Sequence, residues 1–577
     1  MKVRLATTAG FCMGVRRAME IALAEANKGK GPLYTYGPLI HNSQVLELLE
    51  SKNVKAVEDI NDIKKGTVII RAHGIPPKER KILKSSGLKI IDATCPRVAQ
   101  VQGIIRYHAK KGYTTVIVGD RDHAEVIGLK GYGEGNAYII SSEAEVSDIP
   151  ATQRLLLVAQ TTQNEKVYGE IAKAVKKRYP DALVFDTICD ATSERQKEVK
   201  SLADQVDGIV VVGGYHSGNT QRLVQISKET GKPAFHIETE KELDKERLAS
   251  MEVIGVTAGA STPNWMIRNV VKEIEAIRGR GETSLRRWTK NGLKFLLLSN
   301  FMVALGAFCL SYAAGMLSGR EPDIIHPSLA FLYLYAMRVF NRFLDKGAGT
   351  YNDPERAGFY RRYKAFLISS GLVAIIGALF ISFHMGALIL AAMAGSSLLG
   401  VIYSVPLVPL KLRHLWKYTK MKDVPGSKNL LEALAWAVVI ALLPLLEPFN
   451  MQWPSVLVTF FFVLMTAFVR AAFFDILEVQ GDLIVGVETL PITLGEKRTL
   501  LLLKSISIST ALILVIAPLF KAAGLFSYLM LIPLFGVSYL LRAYEKGRIQ
   551  HGLLLEYLVE GNFLIAGLIA LIWQIAS

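Results

Sequence analysis

The sequence predicts two domains of unlike class: an α/β domain of three repeated units, then an all-helical domain that crosses a membrane about nine times. Three observations predict this. The chain has 577 residues, too many for one ordinary domain. Up to about residue 290, short apolar runs alternate with charged helical stretches, and beyond it long apolar segments follow one another. The apolar fraction is 51%, high for a soluble chain and low for one embedded in lipid throughout.

The α/β reading of the first half rests on runs such as Gly66-Thr67-Val68-Ile69-Ile70, Thr114-Thr115-Val116-Ile117-Val118 and Gly208-Ile209-Val210-Val211-Val212. They are continuously apolar and β-branched, as strands buried on both faces of a parallel sheet must be, and crossover helices fit between them. The helical reading of the second half rests on nine segments, at 293–317, 325–343, 364–383, 386–409, 430–447, 454–477, 499–519, 523–541 and 553–574. Most approach the ~20 residues that a membrane helix needs. Residues 278–290 are polar and basic and read as a connector resting on the membrane surface. The expected boundaries are therefore a domain at 1–280, a basic linker at 281–292 and a membrane domain at 293–577.

Lys and Arg outnumber Asp and Glu by 67 to 51, a net charge of +16. No basic arm, zinc-finger spacing or aromatic–basic interleaving accompanies that excess, so nucleic acid is not expected as a partner. Basic loops on the cytoplasmic side of a membrane explain it better. The loop at 410–428 carries Lys411, Arg413, Lys417, Lys420, Lys422 and Lys428. The loop at 344–363 carries Lys346, Arg356, Arg361 and Arg362, and that at 542–551 carries Arg542, Lys546 and Arg548. The alternate loops are nearly uncharged, holding His384, Glu447 and Lys521. This places the basic loops and the first domain in the cytoplasm and the C-terminus outside, in the inner (cytoplasmic) membrane. The opening Met1-Lys2-Val3-Arg4-Leu5 has no signal or transit pattern, and four cysteines far apart are no disulfide framework.

Three of those cysteines share a setting. Cys12, Cys95 and Cys189 each follow a strand-like run (3–6, 88–91, 182–185) and precede an amphipathic helix (15–27, 97–111, 192–206). The string Asp92-Ala93-Thr94-Cys95 is echoed by Asp186-Thr187-Ile188-Cys189. A strand–Cys–helix unit repeated three times about an axis brings three thiols to one point. A helix N-terminus is expected to lower a thiol pKa toward the metal-binding thiolate. Three thiolates suit an iron–sulfur cube with one iron left open, or zinc with an open position; three buried free cysteines are the bland alternative. Cys309 lies in the first apolar segment and reads as a packing residue.

Histidines recur at strand ends: His41 in His41-Asn42, His73 in Arg71-Ala72-His73-Gly74, His123 in His123-Ala124-Glu125, and His216 in Tyr215-His216-Ser217-Gly218-Asn219. The carboxyl ends of parallel strands form the ligand crevice of such sheets, and His, Ser and Asn beside Gly suit a diphosphate.

These strings, with Gly10-Phe11-Cys12-Met13-Gly14-Val15, Ala93-Thr94-Cys95-Pro96, Gln160-Thr161-Thr162, Cys189-Asp190-Ala191-Thr192 and Thr257-Ala258-Gly259-Ala260-Ser261, resemble the 4-hydroxy-3-methylbut-2-enyl diphosphate reductase (IspH/LytB) family over residues 1–280. The resemblance implies three α/β modules in pseudo-threefold symmetry. It implies a [4Fe–4S] cluster on Cys12, Cys95 and Cys189, open at one iron to the substrate hydroxyl. Substrate diphosphate would be held by His41, His73, His123, Ser217, Asn219 and Ser261, with catalysis by Glu125 as proton relay and Thr161 ordering the hydroxyl network. An external electron donor such as ferredoxin or flavodoxin would be its partner. The family often carries Ser where this chain has Gly218, so one diphosphate hydrogen bond is expected to be lost or taken by His216.

In the second half, Asn341-Arg342-Phe343-Leu344-Asp345 and Asp475-Ile476-Leu477-Glu478-Val479-Gln480-Gly481-Asp482 read as the starts of two cytoplasmic loops. Acids spaced by three or four share a helical face, and acids so near a bilayer are costly unless they serve a function. Two such clusters suit Mg²⁺ with a diphosphate. With Tyr403-Ser404-Val405-Pro406 and Gly486-Val487-Glu488-Thr489-Leu490-Pro491, they resemble the UbiA superfamily of intramembrane prenyltransferases, across 293–577. That resemblance implies Mg²⁺-assisted transfer of a prenyl group to a lipophilic acceptor, with Asn341, Asp345, Asp475, Glu478 and Asp482 holding metal and diphosphate and Lys411 and Arg470 meeting phosphate charge. The first motif departs from the family: Arg342 stands for an Asp, Gly349 falls where the last Asp would be, and Asp353 lies four residues on. The expected protein is a bifunctional enzyme on small-molecule diphosphates at a lipid membrane. The alternative is a reductase whose membrane half only anchors it.

Overall fold

The structure, a computed structural model, describes residues 1–29, 31–277, 284–344, 351–405, 421, 424, 426–447, 453–549 and 552–576. The chain divides into two compact units, Met1–Glu282 and Thr283–Ser577.

Among the described residues, the first unit contains twelve parallel strands: β1 Lys2–Leu5, β2 Leu33–Tyr36, β3 Val54–Val57, β4 Thr67–Ile70, β5 Lys89–Asp92, β6 Thr114–Val118, β7 Ala137–Ile140, β8 Leu155–Ala159, β9 Leu183–Val184, β10 Gly208–Val212, β11 Ala234–Ile237 and β12 Val253–Ala258. They form three four-stranded sheets, ordered β3-β2-β4-β5, β7-β6-β8-β9 and β11-β10-β12-β1. The three orders are the same once β1 is counted as the strand that follows β12. The N-terminal strand therefore closes the third module, with Lys2 to Leu5 in register with Val253 to Val256. The central strands β4, β6, β8 and β10 are buried along their whole length, as their unbroken apolar runs require. Ile69, Ile117 and Val210 are fully buried, each worth about 1.5–3 kcal/mol relative to exposure.

The threefold arrangement sorts the polar residues. The strand bearing each cysteine is an edge strand of its sheet: β1, β5 and β9. Past the C-terminal ends of β2, β6 and β10 come His41, His123 and the start of the helix Gly218–Glu229 with its N-cap Ser217; past those of β4, β8 and β12 come His73, Thr161 and Ser261. Each module thus delivers three polar groups from equivalent places.

The second unit is helical. Among the described residues, six helices are long and apolar enough to cross a membrane: Lys364–Met385, Ser427–Leu446, Trp453–Val485, Glu496–Phe520, Phe526–Glu545 and Leu553–Ala576. A bent pair, Arg287–Leu298 with Phe301–Leu317 at 70°, would make a seventh. Asn300 causes the bend: its φ of 65° interrupts the helix, and its buried amide bonds the Tyr360 hydroxyl. The other expected segments fall on Ile325–Leu344, which carries Arg338 and Arg342, and on the 16-residue apolar helix Ala387–Ile402. Phe380, Phe383, Leu501 and Leu568 are over half exposed, an outer surface suited to lipid rather than water. This is a multi-pass membrane domain.

Two expectations are corrected. Residues 284–292, assigned to the linker, belong to the helix Ser284–Leu298. Asp475, Glu478 and Asp482, expected in a loop, lie on Trp453–Val485. Nothing breaks that 33-residue helix before Gly486, which ends it at φ +84°, with its N–H on Asp482 O.

Candidate active sites

Cys12, Cys95 and Cys189 are the N-caps of Met13–Asn27, Pro96–Ala109 and Asp190–Ala203. All three are free thiols and line one cavity of about 100 Å³. The approach is close: a Cβ on Gly14 would collide with Cys95 Sγ. Burial pushes the Cys95 and Cys189 thiols up, outweighing the backbone N–H groups of Arg97, Val98, Ala191 and Thr192 that oppose it. The helix N-termini act in the direction the sequence suggests, but desolvation is the larger effect, so both thiols stand above their ordinary value.

The same cavity is lined by His41, His73, His123, Glu125, Thr161, Ser217, Asn219 and Ser261. The three imidazoles form a triangle with centroids 4.7, 5.5 and 5.3 Å apart. Burial, then neighbouring positive charge, pushes all three down, His123 to about 4, so they are neutral near pH 7. The Glu125 backbone N–H donates to His123 Nδ1 at 3.1 Å, which leaves Nε2 as the protonated nitrogen. His41 Nε2, His73 Nδ1 and both amide atoms of Asn219 are buried without a hydrogen-bond partner among the described residues. Each such atom costs about 1–3 kcal/mol, and their convergence in one cavity marks a binding site. The Ser261 hydroxyl donates to the His41 backbone carbonyl at 3.1 Å and lies 3.2 Å from Ser217 Oγ, so the hydroxyls are tied to the backbone that carries His41.

Glu125 is fully enclosed. Its carboxylate accepts the Thr161 backbone N–H at 2.7 Å and the Thr161 hydroxyl at 2.9 Å. Burial nonetheless pushes its carboxyl up to about 7. It is a proton donor or acceptor balanced near neutrality.

His216 is exposed and does not line the cavity, so it does not take the place of a side chain at Gly218. A Cβ at Gly218 would instead meet His123 and Thr162 at 3.5–3.6 Å. Thr162, overlooked in the sequence despite adjoining Thr161, lines the cavity and accepts from Gln160 at 2.9 Å.

In the helical unit a cavity of about 430 Å³ is lined by Asn341, Asp475, Glu478 and Asp482. Ligand oxygens of the three acids lie within 4.8 Å of one another. Lys428 Nζ is 2.7 Å from Asp475 and 3.9 Å from Glu478, and Asn429 donates to Asp475 at 2.8 Å. Asp482 Oδ2 and Asn341 Oδ1 are buried without partners among the described residues. Asp345, Gly349 and Lys411 lie outside the described residues.

The sequence reading missed Asn352. Its amide donates to Asp482 Oδ1 at 2.9 Å and accepts the Gly481 N–H at 2.8 Å. A Cβ on Gly481 would collide with it. The signal was the pair Asn352-Asp353, an amide and an acid where the first acidic motif thins. Asp353 itself caps Pro354–Arg362 and lines the cavity. Arg470, expected to meet phosphate, is instead paired with Glu560 at 2.9 Å and Glu432 at 3.0 Å, because a guanidinium buried in this bundle requires carboxylates. Lys428, counted as a loop charge, is likewise drawn into the site.

The LytB protein family model matches residues 3–275, and the UbiA prenyltransferase family model matches residues 301–552. The 4-hydroxy-3-methylbut-2-enyl diphosphate reductase of Opitutus terrae is 45% identical over 289 residues, covering 48% of this chain and 100% of that protein. That of Alkaliphilus oremlandii is 45% identical over 277 residues, covering 48% and 99%. Among solved structures, a UbiA homolog from Archaeoglobus fulgidus bound to DMAPP and Mg²⁺ is 18% identical, with a TM-score of 0.34 over 48% of this chain and 98% of that one.

Proposed function

This chain belongs to the LytB family of 4-hydroxy-3-methylbut-2-enyl diphosphate reductases in its N-terminal half and to the UbiA prenyltransferase family in its C-terminal half, and on that premise we propose that it is one bifunctional isoprenoid enzyme. The first activity is reductive dehydroxylation of 4-hydroxy-3-methylbut-2-enyl diphosphate to isopentenyl and dimethylallyl diphosphates. The second is transfer of a prenyl group from its diphosphate to a lipophilic acceptor.

The observation that carries the first reading is the Glu125–Thr161 pair in one cavity with three thiols and a ring of unpartnered polar atoms. Three free thiols converging from helix N-termini fit a [4Fe–4S] cluster held by Cys12, Cys95 and Cys189; bound there, it supplies single electrons and a Lewis-acid iron. The remaining work falls to the chain. His41, His73 and His123 donate neutral N–H groups to the diphosphate, with Asn219, Ser217 and Ser261. Thr161 orients the substrate hydroxyl, and Glu125 gives it the proton with which it leaves as water. The balance is two electrons and two protons in, one water out; ferredoxin or flavodoxin is the proposed electron source, and nucleic acid has no part.

In the membrane half, the unpartnered oxygens of Asp482 and Asn341 beside Asp475 and Glu478 fit Mg²⁺ with a diphosphate. Asp345 completes the proposed set. Mg²⁺ bound there supplies charge to the departing diphosphate.

The test is chemical. The full-length protein, purified anaerobically and given reduced viologen, should convert 4-hydroxy-3-methylbut-2-enyl diphosphate to five-carbon diphosphates. Its membranes should make a prenylated lipid from a prenyl diphosphate only when Mg²⁺ is present. An iron-loaded protein that leaves the hydroxyl in place overturns the first reading, and Mg²⁺-independent or absent transfer overturns the second.

The proposed topology is nine spans in the inner membrane, with the reductase domain cytoplasmic. A reporter fused after Ser577 should be extracytoplasmic, and one in the 410–428 loop cytoplasmic. The reverse pattern would overturn the placement of both sites.

A further inference from the structure

Each of the three helices that the cysteines cap sends an arginine to the next module. Arg17, on Met13–Asn27, donates to Thr94 O at 3.1 Å, one residue before Cys95. Arg97, on Pro96–Ala109, pairs with Asp190, one residue after Cys189. Arg195, on Asp190–Ala203, donates to Gly10 O at 2.7 Å, two residues before Cys12. It also donates to Ala191 O at 2.8 Å, two residues after Cys189. The three contacts run one way around the repeat.

They differ in what surrounds the charge. Arg97 is exposed and paired, and Arg17 is half-buried. Arg195 is 4% exposed, and its Nε is buried without a partner. Among the described residues its bonds are those to the two carbonyls, and no carboxylate pairs with it. Glu198, three residues on, accepts from Thr7 and Thr8 instead, and Glu194 is exposed. A guanidinium stays charged inside a protein, and burying it requires a counter-charge. In the helical unit Arg470 has Glu560 for that purpose. Burial pushes the Arg195 guanidinium down, and the groups that hold it up are the thiols of Cys12 and Cys189, ahead of Glu194 and Glu198. Arg195 also lines the thiol cavity.

We propose that Arg195 is the fixed counter-charge of the iron–sulfur cluster and raises its reduction potential. The inference rests on the reductase reading. One electron from the proposed carrier protein adds a full negative charge to a cluster held by three thiolates. A buried cation favours that more negative state, and a surrounding of low dielectric leaves the attraction weakly screened. Arg195 acts through the cluster and is a positioning residue.

The test is a redox titration of the anaerobically purified full-length chain at fixed pH, followed by the paramagnetic signal of the reduced cluster. Arg195→Gln should keep iron and sulfide and lower the equilibrium constant for reduction at least tenfold, about 59 mV for one electron. Arg195→Lys keeps the charge, and Arg17→Gln removes the equivalent tether without removing a buried charge; both should fall less than tenfold. A smaller drop in Arg195→Gln, or a tenfold drop in either of the other two, overturns the proposal. Should Arg195→Gln lose its cluster, Arg195→Lys decides: a drop of less than tenfold supports the proposal, and a larger drop or a lost cluster overturns it. An unaltered chain without iron or sulfide overturns the reductase reading and this inference with it. A cluster that shifts as stated while the substrate hydroxyl stays in place overturns the reductase reading alone.

Discussion

Replacing Cys12, Cys95 or Cys189 by Ser should bleach the protein and abolish reduction. The unaltered chain, purified without oxygen, should be brown with a shoulder near ~400 nm, as thiolate-bound iron–sulfur clusters are. Three ligands are the whole protein contribution to a cluster with one open iron, so losing one leaves two, and a serine hydroxyl is a harder, more basic donor that suits iron–sulfur chemistry poorly. The cavity offers no replacement thiol among the described residues. Cys309→Ser is the control: Cys309 lies on Phe301–Leu317 in the helical unit, where its side chain packs against Gly567, so that variant should keep the colour. Iron, sulfide and zinc analysis decides the metal. Stoichiometric zinc with neither iron nor sulfide would sink the cluster assignment and leave the zinc alternative.

The repeat was legible because it is written in local chemistry. Strand, cysteine and helix follow one another within a few residues, so neighbouring side chains alone reveal each unit. The closure of the third module by β1 was not legible in that way, since it depends on pairing Lys2 with Val253 across the whole domain. The polar residues at strand ends could be read individually. Which of them face inward could not: His216 and Ser217 are adjacent, yet one is exposed and the other buried. A turn between strand and helix rotates successive side chains by amounts that no periodicity records.

The helical unit shows the converse. Hydropathy located six helices long and apolar enough to span among the described residues, but charge was harder to place. Lys428 and Arg356 counted as loop cations, whereas the first pairs with Asp475 and the second with Glu556 at 2.5 Å. Loop counting treats every Lys and Arg as solvated, and a cavity lined by carboxylates changes that. Asn352 escaped notice for a related reason: its contact with Asp482 spans 130 positions.

Glu125→Gln should lower reductase turnover by roughly 10²–10⁴, the usual cost of a lost general acid, while leaving the cluster and diphosphate binding in place. Gln keeps the shape and can still meet both Thr161 groups, but it holds no transferable proton. The pH dependence distinguishes this from a structural effect. With its carboxyl at about 7, Glu125 is mostly protonated at pH 6 and mostly ionised at pH 8, so turnover should fall about tenfold per unit above neutrality. Glu125→Gln should lack that limb. Stability falls over the same pH range. The folded value lies above the ordinary carboxyl value of 4.5, so the native state holds a proton that the unfolded chain has released. The stability this gives is complete below about 4.5 and is lost as pH rises through about 7, some 3 kcal/mol in all. Gln carries no charge to bury, so at pH 8 the variant should unfold no earlier than the unaltered protein although it is far slower. A variant that is slow and also unstable at pH 8 would make Glu125 a structural residue, and equal turnover would move the proton relay to Thr161 or one of the imidazoles.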